Sequence, residues 1–204
     1  MSGMAINEGS MSPSRGTRKR SDKDTSSAPR AARGVAKWVI PSLYSPCRVG
    51  IGNDLHRLAD GRKLILGGVR IPFDKGPVGH SDSDVLAHAI CDALLGAARL
   101  GDIGRHFPNT SPQWKNSSSL LFLRHVRELL EAAGYRIVNI DVTIGLERPK
   151  LAPHILPMER KVAAALALKP DQVSVKAKSG EGLDAVGRGE AIRADAVALI
   201  QICS

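Results

Sequence analysis

Between Val85 and Ala97 the apolar residues Val85, Leu86, Ala89, Ile90, Ala93, Leu94 and Ala97 recur at one-, three- and four-residue steps, with Gly101 just beyond them. That period winds them onto one stripe and predicts a helix. A second helix is predicted from about Ser118 to Ala133, opened by serines and stopped by Gly134. A third follows the Pro-rich turn in PKLAPHILPMERKVAAALAL. Other segments alternate or form short apolar runs. RVGIG from Arg48, Tyr135 to Glu147, VSVKAK and AIRADAVALIQI predict strands, and KLILGGVRIP predicts a hairpin or bulge at its Gly pair. GDIGRHFPNT and SGEGLDAVGRGE read as loops. Strands alternating with helices in this way indicate an α/β domain.

This pattern starts only at about Arg48. Residues 1–46 are rich in Ser, Gly, Pro, Arg and Lys, with eight basic and three acidic residues and little apolar periodicity. Such a segment buries too little surface to offset its chain entropy, so a disordered basic extension is expected at 1–46, followed by one folded domain at 47–204. Much of the chain's net charge of +9 therefore lies outside the folded part. A basic tail can touch nucleic acid, and a nucleic-acid-binding protein using residues 1–37 is one rival reading. No aromatic interleaving suggests base stacking, so no specific nucleic acid is expected as a partner.

Cys47, Cys91 and Cys203 are odd in number and unpaired in spacing, which argues against a disulfide framework and suits a reducing compartment. No apolar run reaches the roughly 18 residues of a membrane span. A cytoplasmic protein with no membrane partner is expected. A plastid is the alternative if the Arg- and Ser-rich extension is a transit peptide, against which Glu8, Asp22 and Asp24 weigh.

The candidate chemistry is concentrated in Asp54-Leu55-His56 and in His80-Ser81-Asp82-Ser83-Asp84-Val85-Leu86-Ala87-His88. In an extended segment, residues two apart leave the same face, so Asp54 and His56 can point at one ion. With a helix beginning near Ser81 or Asp82, the four-residue spacing puts His80, Asp84, His88 and Asp92 on one polar line. One of its histidines can then supply a third ligand. Two imidazoles and a carboxylate leave a fourth tetrahedral position open, the pattern of a catalytic Zn²⁺ site. A second candidate is Lys176 to Gly182. There, backbone N–H groups and Ser179 can cradle phosphate while Glu181 holds a substrate-borne Mg²⁺, although an ordinary strand-connecting loop has the same composition.

Five blocks in order, GNDLHRL, KLILGGVRIP, GHSDSDVLAHAICDALLGAARLGDIGRHFP, DVTIGLERPKLAPHI and VKAKSGEGLDAVGRGE, resemble the 2-C-methyl-D-erythritol 2,4-cyclodiphosphate synthase family over residues 48 to about 202. The resemblance implies a single compact domain with a mixed β-sheet packed against helices. It also implies a homotrimer with active sites between subunits. The implied reaction is intramolecular phosphoryl transfer in the non-mevalonate isoprenoid pathway. The 2-phosphate of 4-diphosphocytidyl-2-C-methyl-D-erythritol 2-phosphate attacks the β-phosphorus, closing a cyclodiphosphate and releasing CMP. A two-metal phosphohydrolase on the same ligands is the rival within enzymes.

The same resemblance implies the roles of individual residues. Asp54, His56 and His88 are the Zn²⁺ ligands, and His80 and Ser81 line the substrate phosphate site. Glu181 helps hold Mg²⁺ or Mn²⁺ on the diphosphate. Asp102 bonds the methylerythritol hydroxyls. Pro149, Lys150, Leu151 and Ala152 enclose cytosine and ribose from the adjacent subunit, Lys178 and Ser179 contact phosphate and nucleotide, and Arg188 faces the trimer channel. Ser179-Gly180 stands where many relatives carry a Thr pair, and Asn109 where Asp is frequent.

Overall fold

The strand expected at RVGIG extends far beyond its apolar run. In the computed structural model, which describes residues 47–114 and 117–203, β1 spans Cys47–Asp60. Its polar second half remains a strand because the partner strand continues beside it. β7 (Ala191–Ile202) pairs antiparallel with β1 from Cys47↔Gln201 to Arg57↔Ala191. The expectation of disorder at residues 1–46 lies outside the described residues.

After β1 come the hairpin strands β2 (Leu64–Leu66) and β3 (Val69–Ile71), the short β4 (Lys75–Pro77), and the helices α1 (Val85–Ala98), α2 (Ile103–His106) and α3 (Ser119–Ala132). Then follow β5 (Tyr135–Gly145), α4 (Ile155–Ala165), β6 (Val173–Lys178) and β7. The five-stranded sheet has the order β4-β1-β7-β5-β6, and it is mixed because β5 and β6 alone run parallel. β4, three residues long and paired from Leu58↔Pro77 to Asp60↔Lys75, carries too little apolar pattern to be read from sequence. The single turn of α2 lies within a segment read as loop, and Asp102 caps it by accepting the Arg105 N–H at 2.9 Å.

α1 packs across β1 and β7, burying the apolar stripe that its sequence predicts. The approach is close because β1 presents Gly50 to it. A Cβ on Gly50 would stand 1.9 Å from the Ala93 carbonyl oxygen, so only glycine fits. α1 begins later than expected. Its N-cap is the fully buried Asp84, not Ser81 or Asp82, which leaves His80 outside the helix and dissolves the polar line His80-Asp84-His88-Asp92.

Asp84 also closes the predicted hairpin. Gly67 and Gly68 both take positive φ, as a two-residue primed turn requires, and their N–H groups donate to the Asp84 carboxylate at 2.9 and 2.8 Å. At its other end α1 stops at Ala98, where Arg99 is left-handed and its N–H returns to the last turn.

α3 packs on α1 and α4 on β6, covering one face of the sheet. Among the described residues no element covers the opposite face. Val49, Ile51, Leu55 and Val197 project from it at 67, 73, 61 and 45 % exposure, with Ile51 directly opposite Val197. Among the described residues no helix is long and apolar enough to cross a membrane.

Candidate metal centre

Alternation along β1 sends Asp54 and His56 to the α1 side of the sheet, and α1 carries His88 toward them from the end of its first turn. Asp54 Oδ2 lies 3.0 Å from His56 Nε2 and 2.9 Å from His88 Nδ1. One ligand atom from each residue falls within 4.8 Å of the others, the only such His/Cys/Asp/Glu group among the described residues. One carboxylate oxygen and two imidazole nitrogens converging at this spacing suit a divalent cation with an open coordination position.

The electrostatics agree. Burial raises the Asp54 carboxyl, but hydrogen bonds from His56 and His88 outweigh it and bring its pKa to about 2. His56 is raised, first by its bond to Asp54 and also by the Val78 carbonyl, against the opposing effect of burial. The group is thus an anion shared by two imidazoles, and a cation can take over the protons' place. His56 Nδ1 is 2.7 Å from the Val78 carbonyl oxygen. A carbonyl only accepts, so Nδ1 carries the hydrogen and Nε2 is the ligand atom.

The triad opens into a cavity of about 630 Å³ that His80 and Ser81 also line. His80 Nε2 reaches the Ser111 carbonyl at 3.3 Å, and Ser81 Oγ lies 3.2 Å from His88 Nε2. An apolar wall from separate segments faces them. Phe107 and Phe122 stack at 4.3 Å, with Trp114 edge-on to both. Sequence reading did not select these rings, since nothing local links them. Asp102 is exposed at the mouth of α2 and uses Oδ1 for the cap.

The remaining expected site residues are held elsewhere in the chain. Pro149, Lys150, Leu151 and Ala152 line a second cavity with Lys178 and Ser179, behind the cis Arg148–Pro149 bond. Glu181 sits in the Gly-rich loop with φ 50° and accepts the Ser179 hydroxyl at 2.6 Å. The Glu147 carboxylate takes the Gly180 N–H at 3.0 Å. Arg188 forms a two-pronged pair with Glu190 beside a third cavity.

Residues 47–201, well over half the chain, match the model of the YgbB family. The chain belongs to the YgbB family. A relative, the 2-C-methyl-D-erythritol 2,4-cyclodiphosphate synthase of Chloroherpeton thalassium, is 57 % identical over 154 residues, covering 76 % of this chain and 98 % of that one. Among solved structures, the bifunctional IspDF of Campylobacter jejuni matches with a TM-score of 0.74 and 35 % identity over 76 % of this chain and 42 % of that one. The CDP complex of Plasmodium falciparum IspF matches at 0.68 and 32 %, over 79 % and 99 %. The YgbB match begins at Cys47, where β1 begins.

Proposed function

We propose that the chain is a 2-C-methyl-D-erythritol 2,4-cyclodiphosphate synthase, converting 4-diphosphocytidyl-2-C-methyl-D-erythritol 2-phosphate to the cyclodiphosphate and CMP. The observation that carries this reading is the convergence of Asp54, His56 and His88 on one point. It occurs in a chain 57 % identical to a relative of that name.

The chemistry asks for little more than placement and charge. A phosphate dianion attacking a diphosphate is opposed by repulsion, so positioned cations and donors lower the barrier, and no strong general base is needed. Asp54, His56 and His88 would hold Zn²⁺, which when bound supplies Lewis-acid polarisation of a phosphate oxygen. His80 and Ser81 offer donors to the phosphate from the same cavity. Asp102 would bond the methylerythritol hydroxyls, and the Phe107, Trp114 and Phe122 wall keeps water from that side.

Glu181, a charged oxygen ligand on a turn already shaped by Glu147, would hold Mg²⁺ or Mn²⁺ on the diphosphate. Pro149 to Ala152, with Lys178 and Ser179, would receive the nucleotide. Because this second cavity is separate from the triad cavity within the chain, we assign them to one active site across a subunit boundary in a homotrimer. The bare sheet face with Val49, Ile51, Leu55 and Val197 supports such burial. Arg188 would face the axis.

Incubation of the purified protein with the diphosphocytidyl substrate, followed by ³¹P NMR, tests this. CMP and a cyclic diphosphate should appear without ¹⁸O uptake from labelled water. Solvent oxygen in the product would make the protein a hydrolase instead.

A further inference from the structure

His88 presents Nδ1 to Asp54 and turns Nε2 away, toward two hydroxyls: Ser119 Oγ at 3.0 Å and Ser81 Oγ at 3.2 Å. The two are not equivalent. Ser119 is fully buried at the start of α3, and its hydroxyl donates to Asp82 Oδ1 in a very short hydrogen bond. Asp82 Oδ2 also accepts the Ser119 backbone N–H at 3.0 Å. Ser118, the N-cap of α3, makes no side-chain cap bond, so Asp82 supplies the first-turn acceptor from across the fold.

A hydroxyl has one hydrogen. Since the Ser119 hydrogen goes to Asp82, which as a carboxylate can only accept, the Ser119 oxygen can meet His88 Nε2 only as an acceptor. Nε2 must then carry a proton. Resting on the metal-centre reading above, we propose that Ser119 and Asp82 form a positioning dyad for His88. The chain Nε2–H to Ser119 Oγ–H to Asp82 fixes the tautomer that leaves Nδ1 free for the ion.

Two consequences follow from the geometry. With Nε2–H held by Ser119, the ring is oriented before any ion arrives and presents Nδ1 beside Asp54. Ser81 is also released from His88. Its oxygen accepts the Ser83 N–H at 3.1 Å, and its own hydrogen remains free to point into the cavity as a phosphate donor.

The test measures zinc affinity by chelator competition for the full chain and for Ser119→Ala, Ser119→Thr, Asp82→Asn and Ser81→Ala, alongside ¹⁵N-histidine NMR of the zinc-loaded forms. Ser119→Ala should weaken zinc about 10- to 100-fold, the usual effect of losing an outer partner of a ligating histidine. It should also turn the protected His88 Nε2–H into a rapidly exchanging proton. Ser119→Thr keeps the hydroxyl and should recover most of the affinity. Asp82→Asn should lose part of it, and Ser81→Ala should keep it within about twofold. A Ser119→Ala protein that binds zinc like the parent with its Nε2–H still protected overturns the dyad, as does a loss confined to Ser81→Ala. If Ser119→Ala misfolds, the Asp82→Asn affinity and exchange rate decide. A parent that binds no zinc would sink the metal-centre reading itself, and the dyad with it.

Discussion

Gly52 lies directly beneath the Ala89 carbonyl: a Cβ on Gly52 would stand 2.1 Å from that oxygen and 2.9 Å from the Asp92 Cβ. Gly52 is two residues before Asp54, and Ala89 is one after His88, so this contact sets the distance between the two halves of the metal centre. Gly52→Ala must push α1 off the sheet. We expect a loss of about 1–3 kcal/mol in stability, as for other overpacked cores, together with weakened zinc binding. Thermal denaturation and chelator competition measure the two effects. An unchanged zinc affinity in a destabilised protein would mean that the ligands reach the ion without this spacing.

His88→Ala should abolish firm zinc retention and most turnover while the far-UV circular dichroism stays that of the parent. Two remaining ligands hold an ion poorly, whereas α1 stays anchored by its buried stripe of Val85, Leu86, Ala89, Ile90, Ala93 and Leu94, to which His88 does not belong. Metal analysis after gel filtration decides the matter. Stoichiometric zinc in the variant would point to His80 as the third ligand.

What could be read from sequence follows the range of each interaction. Asp54 and His56 were legible as a pair because residues two apart share a strand face whatever surrounds them. His88 was legible by spacing only as one of several candidates. Its selection depends on where α1 starts, which Asp84 fixes through bonds to Gly67 and Gly68 on a distant hairpin. Ser119 was hidden for a different reason. A serine at a helix start reads as a cap, and nothing nearby shows that its hydroxyl is committed to Asp82 and His88. The length of β1 was equally hidden, since hydrogen bonding to β7 keeps its polar half extended.

Glu181→Gln should slow cyclisation strongly with zinc content unchanged, because Glu181 lies on the Gly-rich loop, outside the Asp54, His56 and His88 group. The defect should shrink as Mg²⁺ or Mn²⁺ is raised, since hard cations lose affinity when a charged oxygen ligand is removed. Steady-state rates across a Mg²⁺ titration are the readout. Full activity at low Mg²⁺ would remove Glu181 from the second metal.

The metal-free protein should show a distinct pH signature. Asp54 has its carboxyl depressed from 3.8 to about 2, so its contribution is present above 3.8 and is lost as pH falls toward 2. His56 is raised above 6.5, so its contribution is full below 6.5 and is lost as pH rises through the folded value. The stability of the parent minus that of Asp54→Asn should therefore peak between about pH 4 and 6.5, with an Asp54 share of about 2 kcal/mol. Taking the difference cancels the opposite slope from Asp84, which burial and then the Asp82 charge raise. Denaturant titrations at several pH values trace the curve, and a flat difference would deny the shared-anion arrangement.

Deleting residues 1–44 should leave both assembly and turnover intact, since the family match and β1 both begin at Cys47. Sedimentation velocity and the cyclisation assay compare the two forms. A smaller assembly in the truncated form would make the extension part of a subunit interface.

The β2–β3 hairpin lies between β1 and α1 in the chain, and 34 residues separate Asp54 from His88. No local fragment can therefore assemble all three donors. Occupancy of the centre by a divalent cation thus depends on sheet and helix being in register, and is lost when that register is lost.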